Sequence, residues 1–133
     1  MENTLKQYGP LASRILLSAI FLLSGISKIF DFANQAAYVE SALPAPTFML
    51  IMAILFEVGG AIFLLLGYKT KLGALLLIIF TLLASVFFHS NFADQIQMIM
   101  FMKNMAIIGG LVSIAVYGAG PVSLDSKRNK NQN

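Results

Sequence analysis

Four apolar stretches, each long enough to cross a bilayer, fill most of this chain of 133 residues. They run from about Leu11 to Phe30, Thr47 to Leu66, Leu72 to Phe88 and Ile96 to Tyr117. A span needs roughly 20 apolar residues at a rise of about 1.5 Å each. Lipid offers no water to backbone N–H and C=O groups, so such a segment satisfies them internally as a helix. The predicted fold is all-α: a polytopic membrane four-helix bundle, with a short interfacial helix between the first two spans. Composition agrees, since 58% of residues are hydrophobic and 11% are charged, against about 25% charged in soluble domains. The whole chain, 1–133, is then one transmembrane domain with a polar tail over residues 122–133.

The connections are short. Gly9-Pro10 punctuates the start of the first span, with proline suited to a helix entry. The first span is too long for a signal-peptide core and no Ala-x-Ala site follows it, so it is expected to be retained. Between the first two spans, Phe32, Ala36, Val39 and Leu43 form one helical stripe, and Asp31 can cap its start. Pro44 and Pro46 then turn the chain. Gly67 ends the second span, Gly118 to Pro121 ends the fourth, and the tail from Ser126 to Asn133 is expected to be disordered.

Four spans place both termini on one side. That side collects Lys6, Lys69, Lys71, Lys127, Arg128 and Lys130, with Arg14 just inside the first span. The other side holds Asp31, Glu40, Asp94 and His89, with Lys28 at its margin. The positive-inside rule predicts a multi-pass protein of a bacterial cytoplasmic (inner) membrane, with both termini cytoplasmic. The net charge of +3 is spread over loops and tails without interleaved stacking aromatics, so the expected partner is the lipid bilayer and not nucleic acid. The absence of cysteine and the presence of one histidine exclude thiol chemistry, Fe–S, thiolate zinc and two-histidine haem sites within one chain. No metal site is expected, and the seven methionines are read as packing residues.

Glu57 is the exception to the apolar pattern. It lies at the centre of the second span, where an acidic side chain costs roughly 2.5–3.5 kcal/mol on insertion scales. At about 1.5 Å per residue, Glu57 is ~15 Å deep and Lys103, on the fourth span, ~10 Å deep. These depths predict a buried Glu57–Lys103 pair if the two helices touch. Lys28 and His89 fall near the outer ends of the first and third spans. Glu57, Lys103, Asn104, His89 and Lys28 are therefore the candidate ligand-binding residues, lining a cavity open to the outer face. Each also has a plainer role: Glu57 as half of a structural ion pair, Lys103, Lys28 and Arg14 as snorkelling cations, His89 as an interfacial side chain. No catalytic residue is identifiable. Gly59, Gly60, Gly109 and Gly110 are read as structural packing residues that bring the second and fourth helices close.

Taken together, these residues resemble the DoxX family of small four-helix membrane proteins. The resemblance runs through Arg14, Phe21-Leu-Leu-Ser-Gly25-Ile-Ser-Lys28, the prolines Pro44 and Pro46, Glu57-Val-Gly-Gly60 and the turn from Gly67 to Gly73. It continues through His89, Lys103-Asn104, Gly109-Gly110, Gly118-Ala-Gly-Pro121 and Ser123-Leu-Asp125, and so covers nearly the whole chain. Lys71 stands where members usually carry arginine. The family takes its name from a subunit of an archaeal quinone-linked sulfur-oxidising system. The resemblance therefore implies a redox-associated role, with a bound quinone as the implied cofactor and a membrane or soluble redox protein as the implied partner. Two other readings stand beside it: a small proton-coupled transporter using Glu57, and a non-enzymatic anchor for a partner enzyme. A homodimer is a further expectation, because a lone four-span bundle has little room for a large cavity.

Overall fold

The computed structural model describes residues 1–133 and contains helices only. They are α1 (Glu2–Phe30), α2 (Phe32–Glu40), α3 (Pro46–Leu66), α4 (Thr70–Phe88), α5 (Gln95–Tyr117) and α6 (Leu124–Lys130). The helices α1, α3, α4 and α5 are long and apolar enough to cross a membrane. They run up and down, so both termini lie at one end of the bundle, here the terminal end. The helix α2 lies at the opposite, distal end. α1 packs on α3, α3 on α4, α4 on α5, and α5 closes the ring against α1. Consequently α3 and α5 sit diagonally across the bundle.

The bundle is inside-out relative to a soluble protein. Large apolar side chains such as Leu16, Leu23, Leu55, Ile99 and Val116 are exposed on its outer faces. Arg14, Ser18, Glu57, Thr70, Thr81 and Ser85 are buried. Lipid tails are as apolar as leucine, so packing and interior polar contacts associate the helices, rather than hydrophobic burial. In α1 the inward residues Arg14, Ser18, Phe21, Gly25 and Lys28 recur at spacings of 4, 3, 4 and 3. Nearer the terminal end, Ala61, Leu64, Ala74, Leu77, Leu111 and Ile114 form a small apolar core.

Two boundaries differ from the sequence reading. α1 begins at Glu2 and runs through Pro10, instead of starting there. Pro10 packs on the backbone of Gly120, where an added Cβ would lie 2.5 Å from the proline Cβ. The tail is also not wholly irregular, since Leu124–Lys130 forms α6. Ser123 caps it by accepting from the Ser126 N–H at 3.1 Å.

The terminal end is tied by two polar contacts. Arg14 is buried and donates to the carbonyls of Leu64 and Leu65, both at 3.1 Å, and to that of Val122. The first two belong to the last turn of α3, at the negative end of the helix dipole; Leu64 O also accepts from the Gly67 N–H at 3.2 Å, whereas Leu65 O accepts from no backbone N–H. The expectation that Arg14 is a snorkelling cation is thus replaced by an interior role. Gly67, in the left-handed region at φ 65°, makes room, because a Cβ there would lie 2.5 Å from Arg14 Nη1. Asp125 accepts from the N–H groups of Lys69 and Thr70, both at 2.9 Å, and from the Thr70 hydroxyl at 2.7 Å. It caps the start of α4 from across the turn.

Burial raises the Asp125 carboxyl, but the Thr70 N–H and hydroxyl, the Lys69 N–H and the nearby Arg128 charge outweigh it, and its pKa lies below the ordinary value. With the folded pKa below the unfolded one, the cap contributes stability above about pH 4 and loses it as pH falls through the folded value. Thermal unfolding in detergent between pH 3 and 7 should show this acid limb, and Asp125→Asn should flatten it. At neutral pH, Asp125→Ala should cost about 1 kcal/mol, as loss of a helix cap does.

Candidate functional site

The second tie lies in the distal half. Glu57 is 1% exposed, and its Oε2 accepts from Lys28 Nζ at 2.8 Å. Lys28 also donates to Ser24 Oγ at 2.6 Å, one turn back on its own helix. Side chains on a helix lean toward its N-terminus. That lean carries the Lys28 ammonium away from the helix end and inward to the carboxylate. Gly25 permits the approach of α1 to α3, since a Cβ there would lie 2.5 Å from Val58 Cγ2 and 3.7 Å from Glu57 Oε2.

The predicted partner of Glu57 is therefore corrected: it is Lys28 on α1, not Lys103 on α5. Lys103 is exposed and makes only a contact to Met100 Sδ at 3.6 Å. Depth alone favoured Lys103, but α3 and α5 are diagonal and do not pack along each other as α1 and α3 do. The same geometry corrects the glycine pairing. Gly60 meets α4, where its added Cβ would lie 3.1 Å from the Gly73 carbonyl, and Gly110 meets Leu17 of α1. Gly59 and Gly109 have nothing within 4 Å of such a Cβ. The close glycine contact is thus Gly60 against Gly73, between α3 and α4.

A cavity of about 270 Å³ opens beside the ion pair. All five candidate side chains, Glu57, Lys28, His89, Lys103 and Asn104, line it. Its walls include Phe21, Phe80, Phe88, Tyr38, Leu50 and Met100. The helix α2 covers it from the distal end, where Val39 is buried and Tyr38 stacks on Phe88 at 4.9 Å between centroids. The stripe of Phe32, Ala36, Val39 and Leu43 faces inward, so α2 presents the face expected of it.

The polar groups are half-satisfied. Glu57 Oε1 has no hydrogen-bond partner in the protein, and Lys28 uses two of its three N–H donors. Lys28 Nζ also lies 5.7 Å from the Phe80 ring centroid. Asn104 donates to Ser85 Oγ at 3.0 Å, and Ser85 donates to the Thr81 carbonyl at 2.7 Å, which leaves the Asn104 carbonyl oxygen free. His89 Nδ1 lies 2.8 Å from Gln97 Oε1. With that carbonyl as acceptor, Nδ1 carries the proton and Nε2 of the neutral ring remains an acceptor. The cavity thus offers one ammonium donor, one carboxylate oxygen and neutral acceptors against aromatic walls. Ser85, Gln97 and Tyr38 were not singled out from sequence; Ser24 and Gly25 entered only within the family motif, although the 4-3-4-3 spacing in α1 contains the signal for Gly25.

Comparison with known proteins places this arrangement. The sequence model of the DoxX family matches residues 9–90, more than half of the chain. The chain belongs to the DoxX family. It is 42% identical over 126 residues to the inner membrane protein YqjF of Escherichia coli, covering 95% of this chain and 96% of that protein. It is 34% identical over 123 residues to the inner membrane protein YphA of the same organism, covering 88% of each. The ER-derived vesicles protein ERV29 of Saccharomyces cerevisiae is 29% identical over 128 residues, which are 34% of its length. No solved structure matches. The Lys28–Glu57 pair and its cavity are thus features of a DoxX-family membrane protein.

Breaking the pair strands a carboxylate. Lys28 is one-fifth exposed, so Lys28→Met should fall short of the ~3–5 kcal/mol of a fully buried pair and cost about 2 kcal/mol. Lys103→Met should stay within about 0.5 kcal/mol. A double-mutant cycle of Lys28→Met with Glu57→Gln, read by unfolding in detergent, should give a coupling above about 1 kcal/mol. No coupling would mean that the pair does not form in the folded protein.

Proposed function

We propose that this DoxX-family protein binds the head ring of a quinone, or a related one-ring carbonyl aromatic, in the cavity beside Lys28 and Glu57. The observation that carries the reading is the ion pair itself, with an unused ammonium N–H and an unused carboxylate oxygen at the wall of an aromatic cavity. Ligand pockets commonly measure roughly 300–1,000 Å³, so a volume of about 270 Å³ suits a single ring and little more. Lys28 would donate to a ring carbonyl and Glu57 would hold the ammonium in place. Asn104 and His89 would meet the hydroxyls of a reduced ring, and Phe80 and Phe88 would flank its faces.

The role is redox-associated: a membrane subunit that presents the ring to an oxidoreductase partner. With both termini cytoplasmic, the cavity lies in the outer half of the bilayer. Proton-coupled transport through Glu57 is the weaker reading, because the apolar core of Ala61, Leu64, Leu77 and Leu111 lies between Glu57 and the terminal end.

Calorimetric titration of the protein in nanodiscs with a short-tailed benzoquinone tests the proposal. One site per chain is expected, weakened at least about tenfold, or ~1.4 kcal/mol, by Lys28→Met or Glu57→Gln. A two-ring naphthoquinone should bind more weakly than the single ring. Wild-type protein that takes up no quinone, or variants that bind as well as wild type, would remove the reading.

A further inference from the structure

The terminal end holds a second and larger cleft, of about 630 Å³, between the start of α4, the α5–α6 turn and α6. Lys69, Lys71, Arg128 and Lys130 line it. Asp125 is the one acidic side chain among its walls, and its oxygens are occupied by Lys69 N–H, Thr70 N–H and the Thr70 hydroxyl. The chain forms two ion pairs, Lys6–Glu2 and Lys28–Glu57, and neither includes any of these four cations. Asp31 and Asp94 are engaged locally, by Asn34 and by the first turn of α5, and Glu40 lies at the far end on α2. Asp125 feels the Arg128 charge, but no carboxylate of the protein forms an ion pair with any of the four cations, so the cleft keeps an excess of positive charge.

The surroundings say what kind of anion fits. Leu72 on the first turn of α4, Tyr117 at the end of α5 and Leu124 at the start of α6 are exposed. Leu72 and Tyr117 sit at the rim of the apolar belt, where the spanning helices leave it. Aromatic residues at that level mark the headgroup region, and basic pockets beside membrane helices attract anionic lipid headgroups. A free phosphate would meet the cations alone. A phospholipid would meet the cations with its headgroup and the exposed Leu72 and Tyr117 faces with its chains.

We propose that this cleft binds the phosphate-bearing headgroup of an anionic phospholipid, with Lys71 and Arg128 as its principal contacts. The site is separate from the Lys28–Glu57 cavity and does not depend on the function proposed for it. Bound lipid would also span α4, the α5–α6 turn and α6, and so hold the tail against the bundle.

Native mass spectrometry of the full chain, released from nanodiscs of equal phosphatidylglycerol and phosphatidylcholine, tests the assignment. Wild-type protein should retain phosphatidylglycerol over phosphatidylcholine at least about fivefold. Lys71→Gln with Arg128→Gln should abolish that preference. Lys6→Gln with Lys127→Gln removes the same charge from side chains that do not line the cleft, and should leave the preference intact. All four side chains are exposed, and equal helicity and unfolding midpoints would verify that both variants fold. Equal retention of the two lipids, or equal loss in both double variants, would overturn the proposal. So would displacement of phosphatidylglycerol by millimolar inorganic phosphate, which would make the cleft a site for the free ion.

Discussion

Everything in this bundle follows from a solvent that does not reward burying leucine. Between helices in lipid, what discriminates one arrangement from another is close backbone approach and interior polar contact. The protein has both in a defined order along its axis. Arg14 ties α1 to the end of α3 and to the α5–α6 turn at one level. Gly60 and Gly73 bring α3 and α4 together at the next. Lys28 and Glu57, admitted by Gly25, tie α1 to α3 again in the distal half. Two charged contacts on the same helix pair, more than one turn apart, fix both its register and its rotation.

The two charges on α1 are accommodated by different means. Arg14 meets the last carbonyls of α3, of which that of Leu65 has no backbone partner, so one guanidinium completes the α3 terminus and anchors the tail. It needs no carboxylate. Lys28 faces a carboxylate whose second oxygen is left open to a cavity. Arg14 keeps one buried N–H, at Nε, without a partner but lines neither cleft, whereas the Lys28–Glu57 pair leaves hydrogen-bonding capacity unused beside empty volume. That contrast is why the site is placed at Lys28 and not at Arg14, although Arg14 is the more deeply buried of the two.

The spans, the turns and the inward stripe of α2 were legible from sequence, because length and apolar continuity carry them. So was the set of five polar residues around the cavity. The pairing within that set was not. Depth along a span reads directly from residue number, and by depth Lys103 is the natural partner of Glu57. Which helices are neighbours does not read from depth, and the diagonal placement of α3 and α5 reverses the answer. The heptad-like recurrence of Arg14, Ser18, Phe21, Gly25 and Lys28 would have ranked Lys28 as interior, since a snorkelling lysine need not keep that register. The Asp125 cap escaped notice for another reason. It joins residues 55 and 56 positions apart in sequence, and no local pattern announces it.

The cavity's placement follows from the taper of packing along the bundle. Toward the terminal end, small and medium residues interlock: Gly60, Ala61, Gly73, Ala74 and Leu77 fill the space between α3 and α4. Toward the distal end the inward positions become Ala53, Ala84 and Asn104, too short to meet across the same distance, and the aromatic rings of α1 and α4 line the gap without filling it. Enlarging one of those short residues would close the gap and add packing. Its openness is therefore a consequence of side-chain size at these three positions, and it coincides with the one place in the span where an ion pair keeps a free oxygen. A structural pair needs no such space beside it, whereas a pair that receives a ligand does.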